Sequence, residues 1–122
     1  MFKNLLPLLC HFPVFRSTTN ISLNGGSTGS YQLDLPRPSI LKIRAFGGVF
    51  SDYDKVAISI DRQPTLENCE FIVSTKNDLA EYSNQDEISI PEGNHTINWT
   101  LYGDESPVPG DSEARILLTI FN

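Results

Sequence analysis

Residues 39–46 read Ser-Ile-Leu-Lys-Ile-Arg-Ala-Phe, and their alternation decides the fold class. In an extended chain successive side chains point to opposite faces, so Leu41, Ile43 and Ala45 share one side while Lys42 and Arg44 share the other. One face is dry and the other wet, the pattern of a strand in an antiparallel sheet. The period continues on both sides of this stretch. Tyr31, Leu33 and Leu35 alternate with Gln32 and Asp34, and residues 55–60 set Val56, Ile58 and Ile60 on one face. Further along come Cys69, Phe71 and Val73, then Ile88 and Ile90, then Ile97, Trp99 and Leu101. The last segment, residues 114–121, places Ala114, Ile116, Leu118 and Ile120 on one side but Leu117 and Phe121 on the other. A strand apolar on both faces is either central in its sheet or covered by another part of the chain, here the N-terminal arm.

Clusters of Gly, Pro, Asn and Asp punctuate these runs: GGSTG at 25–29, PRP at 36–38, FGGVFSD at 46–52, DRQPT at 61–65, PEGN at 91–94 and GDESPVPGD at 103–111. Turn signals every eight to twelve residues with period-two strands predict an all-β fold, a single β-sandwich of jelly-roll type with about eight antiparallel strands. The domain is expected over residues 20–122, behind an arm at 1–19. Trp99 is expected to anchor the core and Cys69 to sit in it as a small hydrophobe. No stretch keeps helical spacing; the best candidate, residues 76–82, would give one or two turns.

The arm begins MFKNLLPLLCHFPVF. Lys3 could head a secretory signal, but Pro7 interrupts the apolar run and Arg16 and Ser17 follow Phe15 where small residues would mark cleavage. The residue before Cys10 is Leu9, which does not suit a lipoprotein site. A retained segment is therefore expected. Pro7 and Pro13 forbid a continuous helix, and about 15 extended residues reach on the order of 50 Å. Leu5, Leu6, Leu8, Leu9, Phe12 and Phe15 are too many large apolar groups to leave in water, since each fully buried one is worth about 1.5–3 kcal/mol. Two arrangements satisfy them. Either Val14 to Leu23 forms the first strand and the rest folds back on the same sandwich, or the arm docks on a neighbouring subunit. The second makes those six residues the expected partner-binding set.

Composition excludes several classes of function. The 122 residues suit one domain, and no run approaches the roughly 18 apolar residues of a membrane span. A net charge of −6 and a pI near 4.7 argue against nucleic acid, whose binding depends on Lys and Arg displacing counterions. Cys10 and Cys69 form neither a CxxC pair nor a multi-cysteine framework, and Asn20, Asn94 and Asn98 head sequons that a chain rich in Asn, Ser and Thr acquires by chance. His11 and His95 are the two histidines, no serine lies in a G-x-S-x-G elbow, and GGSTG lacks the Lys and helix of a phosphate loop. Asp52, Asp54, Asp86, Glu87, Asp104, Glu105, Asp111 and Glu113 would be the acids for glycoside hydrolysis or calcium, but the D-x-D-x-D-G spacing is missing and solvated loops account for them. No metal, cofactor or catalytic set is expected.

In strand order, with a Pro-Glu-Gly turn leading into an aromatic-bearing strand, residues 31–121 resemble the jelly-roll modules appended to secreted bacterial enzymes. An acidic sandwich with an apolar N-terminal arm also resembles the small decoration or cement proteins bound outside tailed-phage capsids. That likeness is architectural and transfers no residue. It implies a non-enzymatic structural protein on a virion surface, with capsid subunits and other copies of itself as partners. The first likeness implies instead a carbohydrate-binding or adhesion module, extracellular or on a cell surface, using Tyr53, Tyr82 or Tyr102.

Overall fold

The computed structural model describes residues 13–47, 52–76, 79–83 and 87–122, with side chains omitted at 75–76 and 79–83. Alternation becomes strand wherever one set of side chains can leave water together. The strands are β1 (Phe15–Ser22), β2 (Thr28–Leu35), β3 (Ser39–Phe46), β4 (Lys55–Ile60), β5 (Phe71–Lys76), β6 (Leu79–Ser83), β7 (Ile88–Ile90), β8 (Gly93–Gly103), β9 (Ser106–Pro107) and β10 (Arg115–Phe121). They form two antiparallel sheets. One has the order β1-β10-β3-β7 and the other β2-β8-β4-β5-β6, with β9 paired to β8. Without the short β9 and the added hairpin strand β6, these are the two interleaved four-strand orders of a jelly roll.

The core lies between the sheets. Leu41, Ile43 and Ala45 of β3 face Val56, Ile58, Phe71, Val73, Ile97 and Leu101, with Ile116 and Leu118 of β10 beside them, all buried. Trp99 is buried as expected, and its ring lies against Gly29, its cross-strand partner. A Cβ on Gly29 would stand 2.4–2.8 Å from three atoms of the indole, so the missing side chain is what admits the ring.

Three expectations change. Residues 79–82 of the one helical candidate lie in β6 paired to β5, because a strand can close its backbone hydrogen bonds on a neighbour where a one-turn helix leaves most of them open. Cys69 is half-buried and free, in the loop just before β5, and is not a core residue. The first strand begins at Phe15, so residues 15–19, assigned to the arm by sequence, are paired with β10.

The β4–β5 loop, residues 61–70, lies over the outer side of the five-strand path. Asn98 Nδ2 donates to Arg62 O at 3.0 Å, Ile60 N donates to Glu70 Oε2 at 3.1 Å, and Arg62 Nη2 donates to Glu70 Oε1 at 2.9 Å. Ala57, Ser59, Asn98, Thr100 and Tyr102 point outward from the core yet are buried. The opposite sheet has no such cover among the described residues, and that asymmetry singles out its outer face.

Gly29→Ala is expected to displace the ring of Trp99 and cost about 1–3 kcal/mol, the range for overpacking a filled core. Urea denaturation followed by the emission of this single tryptophan measures both effects; an unchanged midpoint and spectrum would contradict the packing described.

Candidate functional site

The outer face of the β1-β10-β3-β7 sheet is built row by row from strand register. One row runs Phe15, Phe121, Ile40, Ser89; the next Thr18, Thr119, Lys42; then Asn20, Leu117, Arg44; then Ser22, Arg115, Phe46. A bulge between Phe15 and Ser17 keeps Phe15 outward and level with Phe121. The Phe15 and Phe121 rings meet edge to face, with centroids 6.1 Å apart at 74°. Phe15 is 57% exposed and Val14 beside it 48%, while Leu117, Phe121, Phe46 and Ile40 are half-buried.

Cations are threaded among these apolar groups. Lys42 Nζ lies 5.3 Å from the Phe121 centroid, and the guanidinium carbons of Arg44 and Arg115 lie 5.8 and 4.4 Å from that of Phe46. Each such contact is worth about 0.5–1 kcal/mol at an exposed site and holds a long side chain flat on the sheet. Glu87 approaches Lys42 at 4.0 Å with both side chains about half exposed, so the pair contributes little. The face is thus apolar and basic on a chain whose net charge is −6.

Of the six residues expected to bind a partner, Phe15 stands on this face; Leu5, Leu6, Leu8, Leu9 and Phe12 lie outside the described residues, as does Cys10. The alternation of residues 114–121 foretold the apolar outer side of β10. Its partners Phe46, Lys42 and Arg44 were not read as a site, because the signal that joins them is cross-strand register and not spacing along the chain.

The residues that would serve a sugar are otherwise occupied. Tyr53 is buried with its hydroxyl donating to Phe46 O, and burial foremost, with Asp111 adding, pushes its pKa far up. Tyr102 and Trp99 are buried, and the side chain of Tyr82 lies outside the described residues. The acids have local duties: Asp54 Oδ2 accepts from Asp104 N at 3.2 Å, and Asp111 Oδ1 accepts from Glu113 N and Ala114 N at 2.9 and 3.0 Å. Among the described residues no three His, Cys, Asp or Glu side chains converge as a metal would require.

His95 is committed at both ring nitrogens. Nδ1 lies 2.6 Å from Asp61 Oδ2 and Nε2 2.8 Å from Pro91 O. Both partners can only accept, so the arrangement suits the imidazolium, with a proton on each nitrogen. Asp61 sits at φ 62° and also accepts from Thr96 N at 2.8 Å, so its carboxylate clamps the start of the β4–β5 loop to β8. The hydrogen bond from Asp61 raises the pKa of His95 above its ordinary value, and the bonds from His95 and Thr96 lower that of Asp61.

No family model matches the sequence, and no curated protein does. Among solved structures, the chain is similar to an exo-β-1,3-galactanase from Phanerochaete chrysosporium crystallised with β-1,3-galactotriose, with a TM-score of 0.45 and 12% identity. The match covers 86% of this chain and 29% of that one, so the chain spans under a third of the enzyme. At that level of likeness neither activity nor substrate transfers.

The clamp makes stability depend on pH. The contribution of His95 is complete below its ordinary pKa near 6.5 and is lost as pH rises through its higher folded value; that of Asp61 is lost as pH falls through its lowered one. Wild-type stability should therefore fall between about pH 6 and 9 more steeply than that of His95→Gln. Urea midpoints across that range check it, and parallel curves would show that the pair carries no linkage.

Proposed function

We propose that this protein is a non-enzymatic structural module that decorates and stiffens a larger protein assembly, of the kind bound outside a virion shell. The observation that carries this reading is the outer face of the β1-β10-β3-β7 sheet, which has no cover among the described residues. It runs from Phe46 and Leu117 to Phe121 and Phe15 and is continuous in sequence, through Val14 and Pro13, with the apolar residues of the arm. Aromatic groups and arginines set among aliphatic ones are the composition enriched in protein interfaces. The open edge of β1 offers backbone groups to a further strand, as edge strands do.

This reading gives His95 a structural part: both ring nitrogens are engaged, by Asp61 and by Pro91 O, in holding the β4–β5 loop to β8. The carbohydrate reading is less favoured, because Tyr53 and Tyr102 are buried and the paired rings Phe15 and Phe121 meet edge to face instead of forming a flat platform.

In this proposal Leu5, Leu6, Leu8, Leu9 and Phe12 bury against the neighbour beside Phe15. Leu8→Asp with Phe12→Asp should convert an assembling or aggregating chain to a 13.6 kDa monomer with an unchanged thermal midpoint. Light scattering at matched concentrations measures the mass. Equal masses for variant and wild type would remove the arm from the contact.

A further inference from the structure

The charges of this chain are sorted by face. Lys42, Arg44 and Arg115 stand on the outer side of the β1-β10-β3-β7 sheet, where one carboxylate, Glu87, reaches a cation at 4.0 Å. On the far side of the sandwich, Lys55 and Ile72 of β4 and β5, Leu66 and Glu67 of the covering loop, and Glu105 of the β8–β9 turn line a groove of about 540 Å³. Asp54 lies beside it, 3.7 Å from Lys55, and its other carboxylate oxygen accepts from the backbone of Asp104. Lys55 is thus answered within the chain, which leaves Glu67 and Glu105 as surplus negative charge, among the described residues, in an opening whose lining includes Leu66 and Ile72. Both ends of one domain therefore combine apolar groups with charge, and the charges have opposite sign.

We infer that the occupant of the basic sheet face is a second copy of this chain, presenting its groove of Glu67, Glu105, Leu66 and Ile72 to Arg44, Arg115, Leu117 and Phe46. The inference rests on the proposed reading of that sheet face as the docking surface and names its partner. A contact between two different patches on opposite sides of a domain is head-to-tail, so it leaves one patch free at each end and propagates into a ring or a filament. Net charges of −6 on both copies repel at long range, but screening at physiological salt shortens that repulsion to about 8 Å while apposed unlike charges still attract. The same facing makes each copy complementary to the next and not to itself, which gives the contact a direction.

Sedimentation velocity on the full chain tests this. The wild type should form species larger than 13.6 kDa, with the dissociation constant rising about tenfold or more between about 0.1 and 1 M salt. Arg44→Glu with Arg115→Glu, and separately Glu67→Lys with Glu105→Lys, should each be monomeric and folded by far-UV circular dichroism, the first with a midpoint lowered only by the loss of its two contacts to the Phe46 ring. Mixed in equal amounts, the two variants should assemble again into an alternating array, because the kept groove of one meets the kept face of the other, and the reversed face, now acidic, meets the reversed groove, now basic. A wild type that is monomeric at millimolar concentration overturns the inference, as does a mixture that stays monomeric. Monomers whose sedimentation shifts on adding poly-glutamate would likewise overturn it and assign the face to a different acidic protein. If the charge reversals leave assembly intact while Leu8→Asp with Phe12→Asp disperses it, arm docking stands and this inference falls; the reverse pattern keeps this inference and removes the arm.

Discussion

The outer face of the four-strand sheet depends on β10 lying between β1 and β3. A strand paired on both edges has its backbone satisfied within the sheet, so its side chains alone decide what its two faces do. Inward, Ile116, Leu118 and Ile120 are buried and close the core against the other sheet. Outward, Arg115, Leu117, Thr119 and Phe121 form the middle column of the outer face, and each meets a residue of β3 directly across the ladder. The same hydrogen bonds that hold the sandwich thus set the backbone positions from which the exposed groups project.

The two outer faces answer the same physical demand differently. On the five-strand path, Ala57, Ser59, Asn98, Thr100 and Tyr102 are covered by a loop held through Arg62, Glu70 and the Asp61–His95 clamp. Small and uncharged polar residues suit that position because a backbone can approach them closely. On the other sheet, Lys42, Arg44 and Arg115 lie over phenyl rings, which shields part of the apolar surface while leaving charge at the top. Cation over ring is a compromise: the long side chains cover part of the rings while their charged heads stay in water.

The chemistry that sequence placed in loops turned out to be local structure. Asp111 caps the segment leading into β10, Asp54 receives the backbone of Asp104 at the β8–β9 turn, and Asp61 ties a loop to β8. Asp104 and Glu105 occupy positive φ, at 51° and 68°, as a two-residue hairpin turn requires, and so place two carboxylates at a tip where their charge remains in water. Carboxylates that serve as backbone acceptors gain a fixed place without forming a catalytic pair.

Period-two alternation in residues 39–46 and its repeats determined the all-β class, the burial of Leu41, Ile43, Phe71, Val73, Ile97, Trp99 and Leu101, and most strand positions, because which side chains share a face follows from covalent geometry alone. The apolar pair Leu117 and Phe121 also announced a strand either central in its sheet or covered by the arm, and β10 is central. Sequence could not say that Phe46, Arg44 and Lys42 stand beside Arg115, Leu117 and Thr119, since that depends on a register set by contacts some seventy residues apart in the chain. The alternation runs a strand through residue 69 where the chain is a loop, and residues 76–82, the best helical candidate, overlap the β5–β6 pair, because alternation and spacing carry no information about which neighbour is available to accept a backbone hydrogen bond. Which side is covered, and where the charges of opposite sign gather, only the packed tertiary structure decided.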